Sequence, residues 1–213
     1  WAEIDAGELP EPIGRGGGVQ FPASWTRSGN ALAYARLDRA APGAGWDLWL
    51  FHPGDAAPER QIVRTPFKDD QPILSPDGSA LAYVSNETGK LEVYARAFPS
   101  LDRRFRISVD GGTEPVWSRT GREIFFRRGR QYFSVAIGRT GDVLSAGRPA
   151  LMFEGDYLVG SLTPGFPSYD VTPDGQQFVV VERSADTPRI ERLDVVIGWP
   201  HELARRLTPG AER

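Results

Sequence analysis

The 213-residue chain contains no cysteine, which excludes disulfides and thiolate chemistry. It has almost no lysine. Only Lys68 and Lys90 occur, so 23 of its 25 basic residues are arginine, which we read as genomic base composition before function. Histidine is limited to His52 and His201, so histidine chemistry has two candidates. No run of about 18 apolar residues exists, so no membrane insertion is expected. The opening residues carry no charged-then-apolar leader, and no signal peptide is expected. The net charge of -3 gives no drive toward nucleic acid. What remains is ordinary for a globular chain: 40% hydrophobic and 25% charged residues. The 24 Gly and 18 Pro are spread along the chain, which favours many short elements joined by turns.

A repeat runs through the sequence. Ser75-Pro76-Asp77-Gly78 precedes the apolar run Ala80–Val84, and Ser118-Arg119-Thr120-Gly121 precedes Ile124–Phe126. Upstream, Thr26-Arg27-Ser28-Gly29 leads into Ala31–Tyr34, and downstream Thr172-Pro173-Asp174-Gly175 leads into Phe178–Val181. The glycines are 49, 43 and 54 residues apart. Each tetrapeptide is a tight turn in which Pro presets φ, Asp caps, and Gly takes positive φ. A hairpin therefore opens each unit. Trp46–Phe51 and Leu91–Arg96 read as third strands, and Gln61–Val63 and Phe105–Ser108 as fourth strands. A period of roughly 40–50 residues in an all-β chain means propeller blades.

These residues resemble the TolB-type, WD40-like (PD40) β-propeller repeat, with its Pro-x-Trp-Ser-Pro-Asp-Gly hairpin. The match is close at Ser75–Gly78 and Thr172–Gly175. At Thr26–Gly29 and Ser118–Gly121 Arg replaces Pro, and Ser or Thr replaces Asp. The ending, Arg189–Val196 then Gly198–Leu207, resembles the close of the C-terminal propeller of bacterial serine/threonine kinases, where a last strand runs into a Trp-containing helix. The resemblance implies a periplasmic or extracellular setting.

The expected fold is an all-β propeller of about four antiparallel blades with a short C-terminal helix. We place blades at 19–66, 67–110, 111–156 and 164–213, with 1–18 as a partial blade. TolB-type propellers resemble six-bladed rings, which would need close to 290 residues. The chain is then the C-terminal part of a longer protein, or a small closed ring, or an open arc. Open arcs leave strand edges that must be paired or covered, so a homo-oligomer, a dimer of open arcs, is expected. Trp199, Leu203 and Leu207 form one apolar helical stripe, suited to capping the last blade or binding a second chain.

Catalytic signals are weak. Gly160–Gly165 holds Ser161 near glycines, without the spacing or the strand-turn-helix context of a nucleophile elbow. His52 follows an apolar strand and reads as a surface-turn residue, and His201 as solvated. A Ser–His–acid site assembled from blade loops is left as an alternative. Asp55, Asp69 and Asp70 lack calcium-loop spacing, so no metal and no cofactor are expected. Arginines gather at 103–139, interleaved with Phe125, Phe126, Tyr132 and Phe133. We read them as a solvated face, with an acidic protein or anionic glycan as the functional alternative. The loops leading into the first strand of each blade open near the axis. From them we take Asp69, Asp70, Glu114 and Phe166 as candidate partner-binding residues. The leading expectation is a non-catalytic module that binds a protein, peptide or other ligand within a larger sensor or scaffold. A purely structural half-propeller is the other alternative.

Overall fold

The computed structural model describes residues 18–37, 45–141, 143–158 and 166–181. These residues contain strands and no helix. The first sheet joins β1 (Val19–Trp25), β2 (Leu32–Leu37), β3 (Trp46–Phe51) and β4 (Glu59–Val63) in that order. The second joins β5 (Asp69–Leu74), β6 (Ala80–Ser85), β7 (Glu92–Ala97) and β8 (Arg104–Arg106). The third orders β9 (Thr113–Trp117), β10 (Glu123–Arg128) and β11 (Gln131–Thr140). Its outer place is shared, because β11 pairs both β12 (Val143–Ala146) and β13 (Ala150–Glu154). In the fourth, β14 (Tyr169–Val171) pairs β15 (Phe178–Val180). Every pairing is antiparallel between chain neighbours, save β13, which skips β12. Residues 1–17 of the partial blade expected at 1–18, and the expected terminal helix, lie outside the described residues.

The first hairpin of every sheet turns in the same way. Thr26, Ser75, Ser118 and Thr172 each donate their backbone N–H to the carbonyl five residues on, and their side-chain oxygens accept the N–H from that same residue. Gly29, Gly78, Gly121 and Gly175 each donate back to the first residue's carbonyl, at φ values of 69° to 73°. That φ is open to glycine and strained for other residues.

Sheets stack through their alternating apolar faces. Ala33, Leu48 and Leu50 of the first meet Leu81, Tyr83 and Tyr94 of the second. Val84, Val93 and Ala95 of the second meet Ile124, Phe126 and Val135 of the third. Phe125 and Tyr132 of the third meet Tyr169 and Phe178 of the fourth. Full burial of each large side chain contributes about 1.5–3 kcal/mol.

The first strands contact one another, β1 with β5 and β5 with β9. They are also hydrogen-bonded across sheets. Leu74 N–H donates to Ser24 Oγ at 2.8 Å, and Trp117 Nε1 donates to the Ile73 carbonyl at 3.2 Å. Consecutive antiparallel strands put the β1–β2, β5–β6, β9–β10 and β14–β15 turns at one end, the turn end. The segments leading into the first strands lie at the other, the lead-in end.

Candidate functional site

At the lead-in end, β5 and β9 carry the same irregularity. Strand register shifts between Asp70 and Ile73, and again where β9 meets Phe125 and Arg127. Gln71 (φ 54°) and Glu114 (φ 57°) are left-handed, and each precedes a proline. These bulges turn the neighbouring acids into the fold. Asp69, Asp70 and Glu114 are 0%, 2% and 3% exposed, whereas Phe166 is 40% exposed.

The three carboxylates already have partners. Thr65 Oγ1 donates to Asp69 at 2.6 Å. Burial pushes the Asp69 carboxyl up, against the pull of the Thr65 and Ser85 hydroxyls and the Arg96 charge. Asp70 accepts the Gln71 N–H at 2.8 Å and pairs with Lys68 at 3.2 Å. Glu114 accepts both the N–H and the hydroxyl of Ser168, at 2.7 and 2.6 Å. The acids expected to face a partner are thus turned inward: Glu114 ties the third sheet to the fourth, while Asp69 and Asp70 are held by residues of β5 and of the segment leading into it.

Arg127 corrects the reading of the blade-three arginines as one solvated face. It is 1% exposed. Its guanidinium donates to Ser168 Oγ, the Leu158 carbonyl and the Gly129 carbonyl at 2.8–3.1 Å, and lies 3.9 Å from Glu114. It also sits 5.1 Å above the Tyr132 ring. The signal was present in the alternation of β10. Arg127 shares the face of Phe125, which is packed against the fourth sheet.

Open concave surface lies at the turn end. A cavity of about 400 Å³ is lined by the ends of the first strands and their turns, including Trp25, Leu74, Pro76, Trp117, Asp170 and Pro173. Arg27 and Arg119 line it too, and both also line a cavity of about 720 Å³ that reaches His52 and Phe98. Trp25 is 43% exposed. In the sequence Arg27 stands out only as a lapse in the turn motif, and Arg119 both as such a lapse and as one of the arginines gathered at 103–139. Their signal was a bulky cation at a turn position that proline fills in the second and fourth sheets.

His52 lines the larger cavity, and its Nδ1 lies 3.1 Å from the Asn30 carbonyl. Among the described residues no carboxylate or serine hydroxyl hydrogen-bonds to it. His201 and Gly160–Gly165 lie outside the described residues. No group of three or more His, Cys, Asp or Glu positioned to hold a metal occurs among the described residues, nor does a helix long and apolar enough to cross a membrane.

Repeated four-stranded antiparallel sheets whose first strands meet define a β-propeller. The propeller is TolB-like. It is similar to the crystal structure of TolB from Acinetobacter baumannii, with TM-score 0.56 and 18% identity over 80% of this chain and 39% of that one. It is also similar to a TolB-type protein from Agrobacterium tumefaciens, with TM-score 0.51 and 17% identity over 76% of this chain and 57% of that one. The chain thus spans 39% of the first of these structures and 57% of the second, less than two thirds of either. No family model matches the sequence, and no curated protein matches it. The segment that resembles the kinase propellers lies outside the described residues.

Proposed function

We propose that this propeller is a non-catalytic binding module whose recognition surface is the turn end, and that its partner is a peptide or an exposed loop of another protein. One observation carries this reading. The first-strand ends of all four sheets converge there on an open concavity that presents the exposed Trp25 indole and two arginines, with the largely buried Trp117 in its floor. Such a surface offers apolar contact area beside a few directional polar groups, which is what a binding site needs. The rigid turns beneath it are hydrogen-bonded alike in all four sheets, so the rim is preorganised. At the lead-in end, Phe166 alone of the four residues first considered is open to a partner. The hydrolase alternative has less support, since His52 lacks an orienting acid among the described residues.

The test is selection of binders from a random peptide display library on the whole chain, repeated on Trp25→Asp. The reading expects enriched peptides whose binding is lost in the variant. Enrichment of the same peptides on both proteins would reject the turn end as the surface.

A further inference from the structure

The four turns differ in one chemical respect. Two carry Pro then Asp, as Pro76-Asp77 and Pro173-Asp174, and two carry Arg27-Ser28 and Arg119-Thr120. All four close the same backbone hydrogen bonds. The turn itself therefore does not call for arginine, which forgoes the preset φ of proline. Relative to the other pair, each of these turns exchanges a negative charge for a positive one.

Arg27 and Arg119 stand where the two cavities meet, because they and Pro76 line both. Both residues are exposed. Neither has a hydrogen-bond or ion-pair partner among the described residues. Asp77 and Asp170 share the lining of these cavities, but neither forms an ion pair with Arg27 or Arg119. Asp77 accepts from the Ser75 and Ser79 hydroxyls and the Ser79 N–H, and Asp170 accepts the Val171 N–H at 2.8 Å. Beside the arginines, Trp25, Leu74, Trp117 and Pro173 give an apolar floor.

We propose that the turn-end cavity recognises an acidic peptide segment, with Arg27 and Arg119 pairing its carboxylates and the indole floor taking its apolar side chains. The proposal rests on the binding-module reading above and names the chemistry of the partner. Arginine forks suit carboxylates bidentately, and a partly desolvated rim strengthens the pairing. Acidic-motif capture by clustered arginine is a recurring mode of peptide recognition. A peptide fits better than a free phosphate because the concavity runs from the first strands out to His52 and Phe98, well beyond the reach of one small anion.

The absence of cysteine makes the test direct. Ser28→Cys places a single thiol on the cavity rim for an environment-sensitive fluorophore. The labelled chain is titrated with a peptide alternating glutamate and leucine, with its glutamine counterpart, and with inorganic phosphate. Arg27→Pro with Arg119→Pro removes both charges while restoring the residue that the other turns already use, so the turns should keep their fold. The proposal expects saturable binding of the glutamate peptide, weakened about tenfold or more in the double variant and for the glutamine peptide, with Tm not lowered. Affinity should also fall as salt rises. Equal binding of the two peptides, or undiminished binding to a folded double variant, overturns the acidic specificity and leaves the binding-surface reading standing. A response to phosphate without one to the peptide also overturns it. If display-selected peptides also leave the rim fluorophore unmoved, the binding-surface reading fails as well.

Discussion

Gln71 and Glu114 occupy the same place in successive sheets, seven residues before the turn glycine, and the Gln71 side-chain carbonyl accepts the Glu114 N–H at 2.7 Å. Glu114 repeats the move on Ser168, which holds that place in the fourth sheet. The left-handed φ of both residues swings each side chain toward the next sheet. A serial latch thus runs between the first strands at the lead-in end. In the first sheet the place is held by Pro22, which has no side-chain acceptor to offer.

Gln71→Ala should destabilise the fold by about 1–3 kcal/mol, because it orphans the Glu114 N–H. Gln71→Gly also loses the acceptor but relieves the positive φ, so it should cost less. Denaturant melts of the two variants check the order. A smaller cost for the alanine variant would contradict strain at this φ, and two variants as stable as the parent would contradict the latch.

Arg127 and Glu114 are buried together, and removing one strands the other. Arg127→Met should cost about 3–5 kcal/mol. Adding Glu114→Gln should recover part of that loss, with a coupling of about 0.5–3 kcal/mol in a double-mutant cycle. Simple additivity would show that the two act independently.

Asp77 is partly desolvated, yet the hydrogen bonds from Ser75 and Ser79 and the Arg139 charge hold its carboxyl below the usual range. A hydrogen bond from Thr172 and the Gln176 N–H do the same for Asp174. An acid lowered on folding stabilises above its unfolded pKa of about 3.9, and that contribution is lost as pH falls through the folded value. Asp77→Ala and Asp174→Ala should each flatten the decline of Tm below about pH 4. An unchanged slope would show that these turns carry no pH-linked stability.

Asp69 has the opposite sign. Burial raises its carboxyl, so ionisation opposes folding at neutral pH. The opposition fades as pH falls through the folded pKa and is gone below about pH 4, where the unfolded acid is also protonated. Asp69→Asn should raise Tm at pH 7, with the gain shrinking toward acid pH. A gain that persists at low pH would point to packing.

The hairpins were legible because their causes are local. Ser75–Gly78 and the apolar alternation after it specify a turn and a strand without distant help. The fate of the lead-in acids was not. Asp69 and Asp70 look like loop residues, but the bulge at Gln71-Pro72 adds a residue that the pairing register must absorb, and both acids end up inside. Register shifts depend on the partner strand, which a linear reading does not see. The turn-end cavity was illegible for a related reason. Trp25, Leu74 and Trp117 are about 45 residues apart, and only the stacking of sheets brings them together.

The central claim is that partners engage the turn end, where Trp25 and Trp117 line one cavity. The most direct measurement is the indole N–H spectrum of the ¹⁵N-labelled chain during titration with a display-selected peptide. The account predicts progressive shifts of the Trp25 and Trp117 signals, with Trp46 and Trp49 unmoved. Saturating peptide that leaves Trp25 and Trp117 in place would contradict it.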